Sequence, residues 1–173
     1  GFMTQSNAVN AQYSENHLPN FLRESDDKVL IRTKSWGEIE VFSSQIFSFP
    51  EGILGFNFVD SFAFLQEDSS PFMWMQAIGE PDLSFVVIEP ESFMDSYDLA
   101  VSQNDIDSIG EKSIDNIKVL FIVTIPEKTS DMTANLQGPI ILNLQKKTGK
   151  QSISLSDKYK TRHSILEELN KRG

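Results

Sequence analysis

The sequence predicts an all-β fold: one antiparallel, barrel-like domain with one or two short helices. Three observations carry this. About nine short segments of β-branched, aromatic or alternating residues follow one another, separated by Gly, Pro, Asn and Asp turns. The aromatics are weighted to Phe, 13 against 3 Tyr and 2 Trp, and a buried Phe needs no hydrogen-bond partner. At 173 residues and 39% hydrophobic content, the chain is long enough to bury a core without cross-links. Spacing alone leaves barrel and sandwich both open.

Residues 1–27 are mostly polar and read as a flexible N-terminal arm, with Gly1-Phe2 ahead of Met3 as a cloning remnant. Val29-Leu30-Ile31 starts the first strand, Ser35-Trp36-Gly37 turns the chain, and residues 38–42 alternate polar and apolar as a half-buried strand does. Residues 46–49 form a strand that stops at Pro50. Residues 62–65, 72–77 and 85–88 follow, and residues 117–125 make the longest, closed by Pro126. Residues 139–144 and 151–155 read as a final hairpin around Lys147-Thr148-Gly149-Lys150. Ser102 with Asp105 is a capping box for one helix, which Gly110 can end. Ser164 with Glu167 opens another over residues 165–171, where Lys171 and Arg172 suit the C-terminal dipole. The division is an arm over 1–27, a β domain over 28–163 and a short helical extension over 164–173.

Net charge is −10, unevenly spread. Residues 35–111 carry 15 acids and no Lys or Arg, whereas residues 112–173 carry six acids and 11 bases. One reading is solvated loops that keep the protein soluble. The other is an acidic surface that attracts a basic partner. Phosphate repels the middle region, which disfavours direct nucleic-acid binding there. Cysteine is absent, which excludes disulfides, thiolate zinc sites and a cysteine nucleophile. With no signal-peptide pattern and no apolar run long enough to span a bilayer, the chain is expected in the cytoplasm, away from membranes.

Catalytic patterns fail on inspection. Lys147-Thr148-Gly149 and Ser25-Asp26-Asp27-Lys28 match fragments of the β-lactamase set, but the Ser-Asp-Asn element is missing. A calcium loop begun at Asp105 has Ile109 and Asn116 where ligands are needed. His17 and His163 have no ligand spacing. No catalytic residue, metal or cofactor is assigned. Paired carboxylates among 25 acids leave one alternative open, an acidic-loop ligand-binding or hydrolytic β-barrel. A deep pocket with perturbed carboxylates would favour that alternative. A shallow acidic face with exposed apolar residues would favour partner binding. Trp74 with Phe62 and Phe64 offers either a binding groove or, the commoner case, inward strand positions. Phe93 and Met94, between Glu91 and Asp95, read as an exposed apolar contact.

Several segments, in order, resemble the flagellar assembly factor FliW family. They are Trp36-Gly37-Glu38-Ile39-Glu40-Val41, Phe49-Pro50-Glu51-Gly52-Ile53-Leu54-Gly55-Phe56 (with Leu54 where Pro is usual), Pro71-Phe72-Met73-Trp74-Met75-Gln76 and Pro81-Asp82-Leu83-Ser84-Phe85-Val86-Val87. Val123-Thr124-Ile125-Pro126, residues 132–140, Gly149-Lys150-Gln151 and residues 159–163 continue the pattern. The arm before Val29 and residues 164–173 lie beyond it. The resemblance implies a non-enzymatic partner switch. Such proteins bind CsrA, a basic RNA-binding translational regulator, stopping its repression of flagellin mRNA from a site apart from the RNA-binding face, and they also bind flagellin. A flagellin chaperone without the regulatory arm is a further reading. The expected contacts are Glu51, Asp68, Glu80 and Asp82 as charged groups, with Phe93 and Met94 as apolar ones.

Overall fold

Seven strands close on themselves in the protein, a computed structural model that describes residues 17–172. They are β3 (Ile46–Ser48), β4 (Ser61–Gln66), β5 (Phe72–Ala77), β6 (Ser84–Ile88), β7 (Lys118–Thr124), β9 (Ile140–Asn143) and β10 (Thr148–Gln151). Their order round the ring is β3-β4-β5-β6-β7-β9-β10 and back to β3. All neighbours are antiparallel except β10 and β3, which run parallel at Thr148 and Ser48. The second half of β7 also pairs with β8 (Thr133–Ala134), which in turn pairs with β11 (His163–Ser164). A separate hairpin, β1 (Lys28–Thr33) with β2 (Gly37–Phe42), lies against the outside.

The barrel walls are buried on both faces, which is why several strands read as continuous apolar runs rather than clean alternation. Phe62 and Phe64 of β4, Met73 and Met75 of β5, Leu120 of β7 and Leu142 of β9 point into the barrel. Ala63 and Leu65 face outward, beneath Ile31, Ile39 and Val41 of the hairpin. Phe121 and Val123 face outward on the opposite side, beneath Phe93, Met94 and Ile165.

Two short α-helices complete the fold of the described residues. In α1 (Gln103–Ser108), Ser102 accepts the Asp105 N–H at 3.1 Å as N-cap, and Gly110 follows at φ +74°. In α2 (Ile165–Arg172), Ser164 accepts the Glu167 N–H at 3.2 Å. Arg172 at its end meets Asp95 and the Glu91 and Met94 carbonyl oxygens, so the helix is docked on the body.

Two expectations need correction. The flexible arm through residue 27 does not hold for the described part. His17 and Leu22 are buried, and Leu18 and Phe21 pack against the barrel core. The rest of the expected arm, 1–16, lies outside the described residues. The last hairpin turns earlier than expected, over 144–147, so that Gly149 lies inside β10. A Cβ at Gly149 would stand 2.5 Å from Phe49 Cζ and 2.7 Å from Leu142 Cδ2, so glycine is there for close approach rather than for a turn. The turn itself is capped by Asn143, whose Oδ1 accepts the Gln145 and Lys146 N–H groups.

Candidate functional site

Strand directions sort the connections into two ends. The 49–60 and 78–83 turns, the chain leaving β7 and the chain leaving β10 gather at the upper end. The 67–71 and 144–147 turns and the start of β7 lie at the lower one. Of the exposed large apolar residues, Leu54, Phe58, Ile125, Ile153 and Leu155 all belong to the upper end. Among the described residues none belongs to the lower end; Leu30 is on the hairpin, and Leu166 and Leu169 are on α2.

The chain past β10 explains this concentration. Successive residues alternate between the barrel axis and the outer cover. Gly149 faces inward against Phe49 and Leu142. Ile153 and Leu155 keep that inward parity but have run beyond the last layer of core, so they end 59% and 69% exposed. Ser152 and Ser154, of opposite parity, are buried. The Ser152 hydroxyl bonds to the Asp105 carboxylate of α1, and Ser154 Oγ accepts the Ser156 N–H at 3.1 Å. Backbone bonds fix the segment: Ser152 N–H to Pro139 O at 2.8 Å, Ser154 N–H to Gln137 O at 2.7 Å and Leu155 N–H to Ala100 O at 2.7 Å.

The facing wall is the 49–56 turn. Gly52 at φ +65° lets it fold over Asn57, whose Cα would lie 2.6 Å from any Cβ at residue 52. The Leu54 N–H donates to Gln151 Oε1 at 3.1 Å, which ties this wall to β10. Between the walls is a cleft of about 370 Å³ lined by Glu51, Leu54, Asp105, Lys150, Ile153 and Leu155, among others. Lys150 holds its polar floor, 2.8 Å from Glu51 and 3.1 Å from Asp105. Burial works against its charge, but the hydrogen bonds to Glu51 and Asp105 outweigh it and hold the ammonium pKa above the ordinary lysine value.

The expected contact residues do not all converge. Glu51, Glu80 and Asp82 stand exposed on upper-end turns, Glu51 in the cleft itself. Asp68 is exposed too, but on the lower 67–71 turn beside Glu67. Phe93 and Met94 are core residues, 0% and 7% exposed, packed with Phe121. Their acidic flanks misled: Pro90–Ser92 forms a 3-10 turn that aims Phe93 inward, Lys118 pairs with Glu89 and Glu91, and Arg172 pairs with Asp95. Sequence reasoning missed Leu54, Ile153 and Leu155. Their only signals were Leu54 in a turn and alternation continuing beyond Gln151.

The charge split along the chain partly cancels in space. Cations from residues 112–173 reach back to Glu51, Glu89, Glu91, Asp95, Asp98 and Asp105 of the all-acidic stretch. Among the described residues no group of three or more His, Asp or Glu is placed to hold a metal ion, and no helix is long and apolar enough to cross a membrane.

Comparison with known proteins is consistent across sequence and structure. The model of the FliW protein family matches residues 29–165. A flagellar assembly factor FliW from Leptospira biflexa serovar Patoc is 45% identical over 143 residues, covering 82% of this chain and 94% of that protein. One from Alkaliphilus metalliredigens is 37% identical over 145 residues, covering 83% and 90%. A crystal structure of the flagellar assembly factor FliW superposes with a TM-score of 0.73 at 35% identity, over 80% of this chain and 97% of that one.

Proposed function

The chain belongs to the FliW family of flagellar assembly factors, and from that premise we propose that it works in the cytoplasm as a non-enzymatic partner switch. It binds the regulator CsrA, relieving repression of flagellin mRNA from a site apart from the RNA-binding face. It also binds flagellin, whose level then sets how much of it is free for CsrA. The observation that carries this reading is the unbroken family match through residues 29–165, which takes in the whole barrel.

The site geometry supports binding over hydrolysis. The carboxylates of Glu51 and Asp105 converge on Lys150 rather than on open space, and the cleft is walled by exposed aliphatic side chains. A glycosidase pair instead needs one carboxyl kept protonated in a pocket. The charged contacts of the reading are Glu51, Glu80 and Asp82 on the upper turns, with Asp68 as an outlying one.

Purified protein mixed with CsrA and with flagellin tests the reading. A complex with each is expected, and flagellin should displace CsrA. Reversing Glu80 and Asp82 to Lys should slow CsrA association and flatten its salt dependence, since screening shortens to ~8 Å near physiological ionic strength. The same reversal at Asp26 and Asp27 is the control for net charge. Failure to bind either protein would sink the reading.

A further inference from the structure

The upper cleft points to more than a charged face, on the reading that the chain binds a basic regulator. We propose that the cleft between the 49–56 turn and the 152–155 segment is the docking centre for that partner. It takes a partner segment in which apolar side chains flank a lysine or arginine.

The apolar half of the argument is exposure without freedom. Leu54, Ile153 and Leu155 are each about 60–70% exposed and line the same cleft. A chain end left loose would expose such residues by default, but this one is held. Ser152, Ser154 and Leu155 are bonded through their N–H groups to Pro139, Gln137 and Ala100, and Leu54 is bonded to the Gln151 side chain. The two walls are therefore presented in place, and little ordering is left to oppose binding. An interface needs a desolvated aliphatic centre of this kind, because exposed charges around it set the encounter more than the lasting affinity.

The polar half is charge complementarity. The cleft's charged lining is Glu51, Asp105 and Lys150, two carboxylates to one ammonium. Asp105 is engaged by Lys150 and by the Ser152 hydroxyl, and is largely covered. Glu51 is the outer partner, with its side chain 60% exposed. It can turn to an incoming cation while Lys150 stays neutralised by Asp105. Glu80 and Asp82 stand exposed on a separate turn at the same end, across the ring from β10. An acidic partner segment would meet Glu51 with like charge.

The test uses the full chain and fluorescently labelled CsrA, with flagellin titrated in parallel. Ile153→Ser with Leu155→Ser should weaken CsrA binding by about tenfold or more, and Leu54→Ser on the opposite wall should weaken it as well. Leu166→Ser, also exposed but on α2, should leave affinity unchanged, and thermal melts of all variants should match the parent. CsrA affinity held within about threefold in both wall variants overturns the proposal. So does an equal loss in Leu166→Ser. Loss of flagellin binding with CsrA binding retained also overturns it, because the cleft would then belong to the other partner. If the parent chain binds neither protein, the functional reading itself has failed and this proposal goes with it.

Discussion

The two ends of one barrel are finished differently. At the lower end the chain folds back over the core: Leu18, Phe21 and Leu22 pack against it, and the Lys118 ammonium lies 4.9 Å from the Phe21 ring centroid. Gln45, fully buried, ties that seal down by donating to the His17 and Phe64 carbonyl oxygens, each at 3.0 Å. At the upper end Ile53 and Val59 plug the barrel, but the plugging turn leaves Leu54 and Phe58 in solvent, and the chain that runs on past the strands leaves Ile125, Ile153 and Leu155 there. The same inward parity therefore means core at Gly149 and surface at Ile153. Where a strand stands relative to the last core layer decides which.

The contrast is broken most directly by comparing two phenylalanines. Phe64 is fully buried, with Phe47 5.3 Å and Phe49 6.4 Å away between ring centroids. Phe64→Ala should cost about 3–5 kcal/mol in chemical denaturation. Phe58 is 65% exposed at the upper end, and Phe58→Ala should stay within about 0.5 kcal/mol. A comparable loss at both would mean that the upper rim is part of the core.

The lower seal has its own test. Gln45 also accepts the Phe42 N–H at 2.9 Å, so Gln45→Ala removes a partner from the Phe42 N–H and the Phe64 carbonyl and leaves the His17 carbonyl with the Gln66 N–H alone. The expected loss is about 1–3 kcal/mol, with faster hydrogen exchange through residues 17–22. Unchanged protection there would show that the apolar contacts hold the seal without Gln45.

Much of the barrel was legible in the sequence, because β-branched and aromatic runs bounded by Gly and Pro need no tertiary information. Residues 72–77 and the first hairpin are where pattern and turn chemistry placed them. Three things were not legible. Gly149 carries the signature of a turn and the role of a close contact, and only the neighbouring Phe49 distinguishes them. Phe93 is flanked by acids whose cations, Lys118 and Arg172, come from distant parts of the chain. Ile153 and Leu155 alternate as core residues do, and nothing local records that the core has ended. Of the expected charged contacts, three reached the upper end and Asp68 did not.

A third measurement sharpens how the overshooting segment is held. Tyr97 donates its hydroxyl to Leu136 O at 2.7 Å and stacks near Tyr159 at 4.4 Å, next to the buried Ser154. Burial pushes its pKa up from 10.0 to about 12, against a lowering hydrogen bond with Ser154. A pKa raised on folding gives stability that is complete below the unfolded value and is lost as pH climbs through the folded one. Lys150, also raised, acts in the same direction. The thermal midpoint should therefore fall between about pH 10 and 12. Tyr97→Phe should lose about 1 kcal/mol near neutrality from the missing hydrogen bond and then fall less steeply over that window. An equally steep fall would place the alkaline loss elsewhere.

The smallest effect is expected at Glu51, and it separates holding the cleft from using it. Glu51 is the exposed wing of the Lys150 cluster, and its side chain is 60% accessible against 19% for Asp105. Glu51→Gln leaves Lys150 on Asp105, and an exposed ion pair is worth about 0–1 kcal/mol, so stability should barely change. Asp105→Asn disturbs Lys150 and Ser152 together and should cost more. In CsrA association the order should reverse at low salt. Glu51→Gln removes the carboxylate that an incoming cation meets first, and the deficit should shrink as salt is raised. Equal denaturation losses in the two variants would mean that both carboxylates are structural. An association rate indifferent to Glu51 would leave the upper end distinguished by its aliphatic rim alone.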